Sequence, residues 1–170
     1  MVDPVAAFNA LPANRLEAEL LAVCAAPAWG SAVAALRPYP SRAELLAAAD
    51  AAARGLSWPE VLRGLSAHPR IGERAQGESQ EAAWSRREQS TAASSGDDAT
   101  RAALVAANHA YEERFGHVFL IFASGRTQEE ILAAARERID NDEQTERAIV
   151  TDELRKIALL RLERLLDALE

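Results

Sequence analysis

Residues 97–122, DDATRAALVAANHAYEERFGHVFLIF, hold the pattern that decides the fold. Side chains recur there at spacings of three and four, which predicts one face of a helix with the members Leu104, Asn108, Tyr111 and Phe115. Gly116 ends that helix. The apolar run 118–122 looks like a strand, but it is nearly alone in the sequence, and an isolated strand has no partner for its hydrogen bonds. We therefore predict a buried extended connector within an all-α fold.

Helix signals of the same kind recur along the rest of the chain. Three segments have the form of a capping box, in which a Ser or Thr begins a helix and a Glu follows three residues later: 41–44, 57–60 and 127–130. A further helix is expected over about 79–93, and the last one from about Asp142 nearly to the end. The 38 alanines favour helix as well, because alanine has the highest helix propensity. We expect a single compact domain of about eight helices over residues 1–170, with a polar loop at 72–77.

Composition and charge exclude several classes of function. The 170 residues are 49% apolar, which is enough to bury a core. The net charge of −7 argues against general nucleic-acid binding, because phosphate contacts need a basic face. No apolar run approaches the roughly 20 residues that span a bilayer, and the first residues show no signal-peptide pattern. The single cysteine excludes an internal disulfide. We expect a cytoplasmic protein with no nucleic-acid and no membrane partner.

His68 is the first candidate for chemistry. It lies between a predicted helix end and Pro69, and the proline fixes its own φ and restricts its neighbour. A general acid or base needs its ring held in a fixed orientation, and a restricted backbone favours this. A histidine at a helix C-terminus can equally be a cation that favours the helix dipole. The residues alone leave both interpretations open.

Ser85, Glu88 and Gln89 form the second candidate. Ser85 and Glu88 are three residues apart and so share a helix face. Another capping box is the alternative, but the helical pattern begins near Ser79, and a box in mid-helix would find no free N–H group to cap. The pattern therefore favours a polar pocket lined by these three side chains.

Arg126 directly follows Gly125 at the end of the apolar run. A guanidinium in this place can hold a carboxylate by a forked contact, or it can be a surface arginine near the start of the next helix. Both interpretations stay open. Cys24 is surrounded by apolar residues and is interpreted as a small core residue rather than a nucleophile. The three histidines show no metal-ligand spacing, so no metal site is predicted.

Taken in order, these motifs resemble the OHCU decarboxylase family, the 2-oxo-4-hydroxy-4-carboxy-5-ureidoimidazoline decarboxylases of urate breakdown. The matching stretches span nearly the whole chain and are His68-Pro69-Arg70-Ile71-Gly72, Ser85-x-x-Glu88-Gln89, Asn108-x-x-Tyr111-Glu112-x-Arg114-Phe115-Gly116-His117-x-Phe119-Leu120-Ile121, Gly125-Arg126, Arg138-x-x-Asn141-Asp142-x-x-x-Glu146, Glu153-Leu154-x-Lys156-Ile157 and Arg161-Leu162. Each stretch is common by itself, and the ordered set is specific. One departure is Thr91, which stands where many family members have glycine.

The resemblance implies an all-helical domain with no metal and no organic cofactor. The implied reaction releases CO2 from an unstable ureidoimidazoline carboxylate and yields (S)-allantoin. By motif position, His68 is the implied catalytic acid or base, with Glu88 and Arg126 as further catalytic residues. The implied substrate contacts are Pro69, Ser85, Arg86, Arg87, Glu88, Gln89, Phe119, Leu120, Ile121, Phe122, Ala123 and Arg126.

The residue types suit this chemistry. Histidine exchanges a proton near neutral pH, Glu88 can accept hydrogen bonds from substrate N–H groups, and Arg126 can pair with substrate oxygen. The backbone N–H groups of residues 119–123 are not consumed by a helix, so we expect them to be free to donate to a ligand.

Two other classes of function stay open beside this one. The first is a non-catalytic helical interaction domain on the same fold, and the second is a metal-dependent hydrolase or oxygenase. The expected partner is the small-molecule substrate. The resemblance and the long apolar C-terminal helix also suggest a homodimer.

Overall fold

The structure, a computed structural model, describes residues 3–71, 79–94 and 96–169, so the loop predicted at 72–77 lies outside the described residues. The described residues form helices and connecting segments with no strand, and the all-α fold class is confirmed. These ranges contain ten helices, more than the eight or so that the sequence predicts: α1 Pro4–Ala10, α2 Ala13–Val23, α3 Pro27–Ala35, α4 Arg42–Arg54, α5 Trp58–Leu65, α6 Gln80–Glu88, α7 Ser90–Ser94, α8 Asp98–Phe115, α9 Gln128–Arg138 and α10 Glu143–Ala168.

Polar caps fix where several helices begin. Thr127 forms a complete capping box, in which its hydroxyl accepts from the N–H of Glu130 at 3.2 Å and the Glu130 carboxylate accepts from the N–H of Thr127 at 3.0 Å. At Ser41 and Ser57 the hydroxyl accepts from the N–H three residues further on. Asp97 caps α8 in the same way. The predicted starts of these four helices are confirmed because each depends on a contact within one turn.

The single helix predicted after Ser79 is two helices. The hydroxyl of Ser79 caps α6, but the chain leaves helical geometry at Gln89. The hydroxyl of Ser90 then donates to the carbonyl of Arg87 at 2.8 Å, and local side-chain bonds of this kind compete with the helix. The additional break accounts for one of the extra helices.

Backbone contacts divide the chain into two compact units, the first comprising residues up to Ser66 together with Leu154 onward. In this unit Trp29 is fully buried, and its indole N–H donates to the carbonyl of Ala49 at 3.0 Å. Its helices also bury Phe8, Leu16, Leu45 and Leu162. The single domain over the whole chain stays a prediction.

The second unit, Ala67–Glu153, holds every residue that the sequence predicts for the site. Its apolar core includes Leu104 of α8, Ile131 of α9 and Phe119 of the segment between them. That segment is largely buried and lies outside any helix or strand of the described chain, as predicted. Within the described ranges, no helix combines the length and the apolar character needed to cross a membrane.

We expect Gly116→Ala to destabilise the protein by about 1–2 kcal/mol, because a side chain at a left-handed φ crowds the adjacent carbonyl oxygen. Gly116 ends α8 with φ +79°, and an added Cβ would meet nothing within 4 Å. The loss would therefore report backbone strain alone. Urea unfolding followed by far-UV circular dichroism measures it.

Gly55 provides the matched control, since it follows α4 with φ −87° and an added Cβ would lie 3.5 Å from the carbonyl oxygen of Ala51, an ordinary contact. Gly55→Ala should leave the free energy of unfolding unchanged or raise it slightly. Equal losses in the two variants would contradict the assignment of strain to Gly116.

Candidate active site

The predicted site residues lie on three segments of the second unit. His68 and Pro69 follow α5, the residues from Ser85 to Gln89 belong to α6 and its end, and Phe119–Arg126 connects α8 to α9. Whether the His68 imidazole, the Glu88 carboxylate and the Arg126 guanidinium share one hollow stays a prediction.

The segment from His68 to Ile71 has no helical conformation and is held by α8. His68 and Pro69 are both half-buried. The guanidinium of Arg70 donates to the Glu112 carboxylate at 2.7 Å. The carbonyl of Ile71 accepts from the Asn108 amide at 2.7 Å. The backbone around the histidine is therefore fixed from one side by two side chains that are one helical turn apart.

The buried face of α6 presents two polar side chains. Ser85 and Glu88 are only 3% and 6% exposed, although both are polar. Ser79, and not Ser85, caps this helix, so the rejection of a capping box at Ser85 agrees with the structure. Arg86 is half-buried, whereas Arg87 is exposed. Polar groups in this position need hydrogen-bonding partners, which favours a polar environment on this face.

Three carbonyl groups of the extended segment accept hydrogen bonds from the protein. The Leu120 carbonyl accepts from the guanidinium of Arg138 at 2.7 Å. The Phe122 carbonyl accepts from Nε of Arg126 at 3.0 Å, and the Ala123 carbonyl accepts from the backbone N–H of Arg126 at 3.0 Å. These three acceptors are thus directed at neighbouring protein groups.

The N–H groups of the same segment show the opposite arrangement. Those of Phe119, Leu120, Ile121 and Ala123 form no hydrogen bond with any residue of the described ranges. The N–H of Phe122 donates to the Glu153 carboxylate at 3.3 Å, so the expectation that all five are free is wrong for this residue. A buried N–H without a partner is rare in folded proteins, and a row of them indicates a place for an external acceptor.

Arg126 lies where this row ends. It is half-buried, and its Nε bond to Phe122 leaves both terminal nitrogens without a hydrogen bond to the described residues. Gly125 precedes it with φ +77°, a conformation that turns the chain sharply. A guanidinium held by Nε alone can still offer two parallel donors to a carboxylate.

One apolar cluster joins the three segments. It includes Ile71, three residues after His68, and Ala92, three residues after Gln89. It also includes Phe119, Ile121 and Ala123 of the extended segment. The backbones that carry the predicted site residues are therefore packed into the same core.

A buried ion pair supports the extended segment, and sequence reasoning assigned it no role. Arg138 donates through Nε to Glu146 at 2.9 Å, and its guanidinium lies 4.6 Å from the centre of the Phe119 ring. The hydroxyl of Tyr111 donates to the same carboxylate. Burial, with the Glu146 carboxylate beside it, holds the pKa of Tyr111 above its usual range. The opposite charges on either side of the break at 140–141 are the sequence signal for this pair.

Two other predictions concern nucleophiles and metals. Burial raises the pKa of the Cys24 thiol to about 11, which agrees with a core residue and not with a nucleophile. In the part of the chain that the structure describes, no three His, Cys, Asp or Glu side chains are grouped to hold a metal ion.

The sequence is similar to that of one family of known proteins. A family model described as OHCU decarboxylase matches residues 9–163. The uric acid degradation bifunctional protein TTL of Arabidopsis thaliana is 32% identical over 152 residues, which are 88% of this chain and 47% of that protein. The 2-oxo-4-hydroxy-4-carboxy-5-ureidoimidazoline decarboxylase of Haloferax volcanii is 34% identical over 129 residues, covering 74% of this chain and 73% of that protein. This chain thus spans about half the length of the plant protein.

Two solved structures are similar to this chain in fold. A crystal structure of an OHCU decarboxylase in the presence of (S)-allantoin has a TM-score of 0.76 at 28% identity and covers 88% of this chain and 97% of that chain. A crystal structure described as (S)-allantoin synthase has a TM-score of 0.71 at 20% identity, covers 95% of this chain and 53% of that chain, and is similar in fold alone.

We expect Arg138→Met to destabilise the protein by about 3–5 kcal/mol, because it leaves the Glu146 carboxylate buried without its counter-charge. Glu146→Gln should be similarly harmful, and the loss in the double variant should be well below the sum of the two. Urea unfolding of the four proteins measures these differences.

Glu143→Gln is the matched control, because its 2.9 Å ion pair with Arg147 is exposed. It should change the free energy of unfolding by about 1 kcal/mol or less. Additive losses at Arg138 and Glu146 would show that the two side chains act independently.

Proposed function

The chain belongs to the OHCU decarboxylase family, whose model matches residues 9–163, and on this premise we propose that it decarboxylates 2-oxo-4-hydroxy-4-carboxy-5-ureidoimidazoline. The product is (S)-allantoin, and the reaction belongs to urate breakdown. The names of the Arabidopsis and Haloferax relatives support this assignment.

The observation that carries the proposal is the arrangement of donors in the extended segment. Four backbone N–H groups of residues 119–123 have no partner in the described chain, and the terminal nitrogens of Arg126 lie at the end of the same segment. A row of N–H donors beside a guanidinium suits a small anion rich in oxygen. The substrate carries a carboxylate, a hydroxyl and carbonyl oxygens, so it can satisfy these donors.

The substrate provides its own electron sink. When the bond between C4 and the carboxylate carbon breaks, its electron pair forms a C4–C5 double bond, and the former C5–N double bond gives its pair to the ring nitrogen, which takes up a proton. The resulting enol then gains a proton at C5 and loses one from its hydroxyl. In sum, the substrate anion and one proton give allantoin and CO2.

The protein then has two tasks, which are to orient the carboxylate and to deliver the C5 proton to one face. We assign the proton transfer to His68, because an imidazole gives or takes a proton near neutral pH and its backbone is held by Pro69 and α8. The buried carboxylate of Glu88 is assigned to the ureido and ring N–H groups of the substrate. Pro69, Ser85, Arg86, Arg87 and Gln89 complete the proposed contacts.

The location of the enzyme in the cell and its oligomeric state are further expectations. We expect the enzyme to act in the cytoplasm, since its single cysteine allows no internal disulfide of the kind that stabilises proteins in oxidising compartments. The homodimer suggested by the resemblance stays a prediction, and the sedimentation behaviour of the purified chain tests it.

We expect wild-type protein to accelerate the decay of freshly made substrate and to yield the circular dichroism of (S)-allantoin. His68→Ala should keep the far-UV spectrum and lower turnover by about 10²–10⁴-fold, because it removes the general acid or base. Coupling the assay to the upstream oxidase and hydrolase of urate breakdown supplies the unstable substrate.

His109→Ala is the matched control, because His109 is an exposed histidine of α8. It should leave turnover unchanged. Near-normal turnover in His68→Ala would refute the role of His68. A wild-type protein that leaves the spontaneous rate unchanged would favour the non-catalytic interaction domain.

We expect Arg126→Met to raise KM strongly and Arg126→Lys to recover only part of the loss, since lysine keeps the charge but lacks the forked pair of donors. Arg136→Met, which removes an exposed arginine from α9, should leave KM unchanged. Full recovery in Arg126→Lys would show that charge alone is needed. An unchanged KM in Arg126→Met would remove Arg126 from the site.

A further inference from the structure

Two side chains of α8 hold the segment that carries His68, and they differ in their surroundings. The ion pair between Arg70 and Glu112 is exposed to solvent, with 45% and 20% of the two side chains accessible. The hydrogen bond from Asn108 to the Ile71 carbonyl is buried, with the two residues 4% and 6% exposed. Water competes with the first contact and not with the second, so the second is the more effective constraint on the backbone.

The orientation of the Asn108 amide follows from chemistry. A backbone carbonyl only accepts hydrogen bonds, so the atom 2.7 Å from the Ile71 oxygen must be the nitrogen, Nδ2. This leaves the Asn108 oxygen, Oδ1, buried, and it forms no hydrogen bond within the described part of the chain. The side chain is therefore only half satisfied by its surroundings.

A half-satisfied amide costs free energy of folding at the buried position that Asn108 occupies. Leu104 and Tyr111, on the same face of α8, are almost completely buried in the apolar cluster. An apolar side chain between them would avoid the desolvation of an amide. What the amide does, and a leucine cannot do, is to bind the carbonyl that lies three residues after His68.

Resting on the proposed function, we propose that Asn108 is a positioning residue, whose amide fixes the His68–Ile71 segment and thereby sets the place of the His68 imidazole. Pro69 restricts the backbone between His68 and Ile71, so fixing the position of Ile71 also limits the movement of His68. Asn108 acts through the loop and needs no contact with the substrate.

The first test is spectroscopic and does not depend on activity. The chain contains three histidines, so the imidazole signals in a proton–carbon spectrum are few, and the one that disappears in His68→Ala identifies His68. In Asn108→Leu we expect the His68 signal to move or broaden and its titration midpoint to change, while the His117 signal stays in place. Leucine is used because it adds no charge that could shift the titration by itself.

The second test separates positioning from stability. Asn108→Leu should lower kcat by about 10²-fold, as expected for a misplaced catalytic group, and should change KM much less. Leu104→Ala serves as the control, because it creates a cavity in the same helix face and leaves the Asn108 amide in place. It should lower Tm but leave kcat and the His68 signal unchanged. Asn108→Ser, which is too short to reach the Ile71 carbonyl, replaces Asn108→Leu if that variant does not fold.

Failure of the positioning role of Asn108 and failure of the proposed decarboxylase function give different results in these tests. An unchanged His68 signal in Asn108→Leu, or an unchanged kcat when His68→Ala is inactive, would overturn the role of Asn108 and leave the decarboxylase intact. A wild-type protein without decarboxylase activity, in which Asn108→Leu still shifts the His68 signal, would support the positioning and remove the proposed function. Equal losses of kcat in Leu104→Ala and Asn108→Leu would reduce Asn108 to a structural role.

Discussion

The hydrogen bond from Arg138 to the Leu120 carbonyl is the contact on which the candidate site depends most. The guanidinium is buried and compensated by Glu146, so its remaining donor is available for one backbone oxygen. By binding that oxygen it fixes the orientation of the peptide group in the middle of the extended segment. The carbonyl is turned to the ion pair, and the N–H groups of the segment are left for other partners. A buried pair of charges contributes little net stability by itself, and here its structural effect is to orient the backbone.

This arrangement explains how a helical protein obtains a row of backbone donors. In an α-helix nearly every N–H is bonded four residues back, and only the first turn offers free donors. The interval between α8 and α9 breaks this pattern, because Gly116 ends one helix and Thr127 begins the next. The residues between them are apolar enough to be buried and have no neighbouring strand in the described chain to consume their N–H groups. In the proposed site, the donors that bind a polar anion inside an apolar core therefore come from the main chain.

The sequence predicts those features that depend on near neighbours. The starts at Ser41, Ser57, Asp97 and Thr127 follow from contacts within one turn, and the extended connector follows from the lack of strand partners elsewhere. The break at Gln89 is not predicted, because helix and turn are close in energy there and the Ser90 hydroxyl decides between them. The pairing of Arg138 with Glu146 depends on how α9 and α10 pack, which periodicity does not encode. The candidate site residues come from family motifs, since the residue types of His68 and Arg126 each allow two interpretations.

The proposed use of main-chain donors has a consequence for which side chains the ligand can constrain. A side chain that binds a ligand directly constrains its own identity, whereas a peptide N–H is supplied by every residue except proline. In the proposed site, the N–H groups of residues 119–123 would bind the ligand whichever apolar side chain each position carries, so those side chains are restricted by core packing and not by the ligand. A further constraint then falls on Arg138 and Glu146, because their ion pair holds the Leu120 carbonyl and with it the orientation of the peptide group.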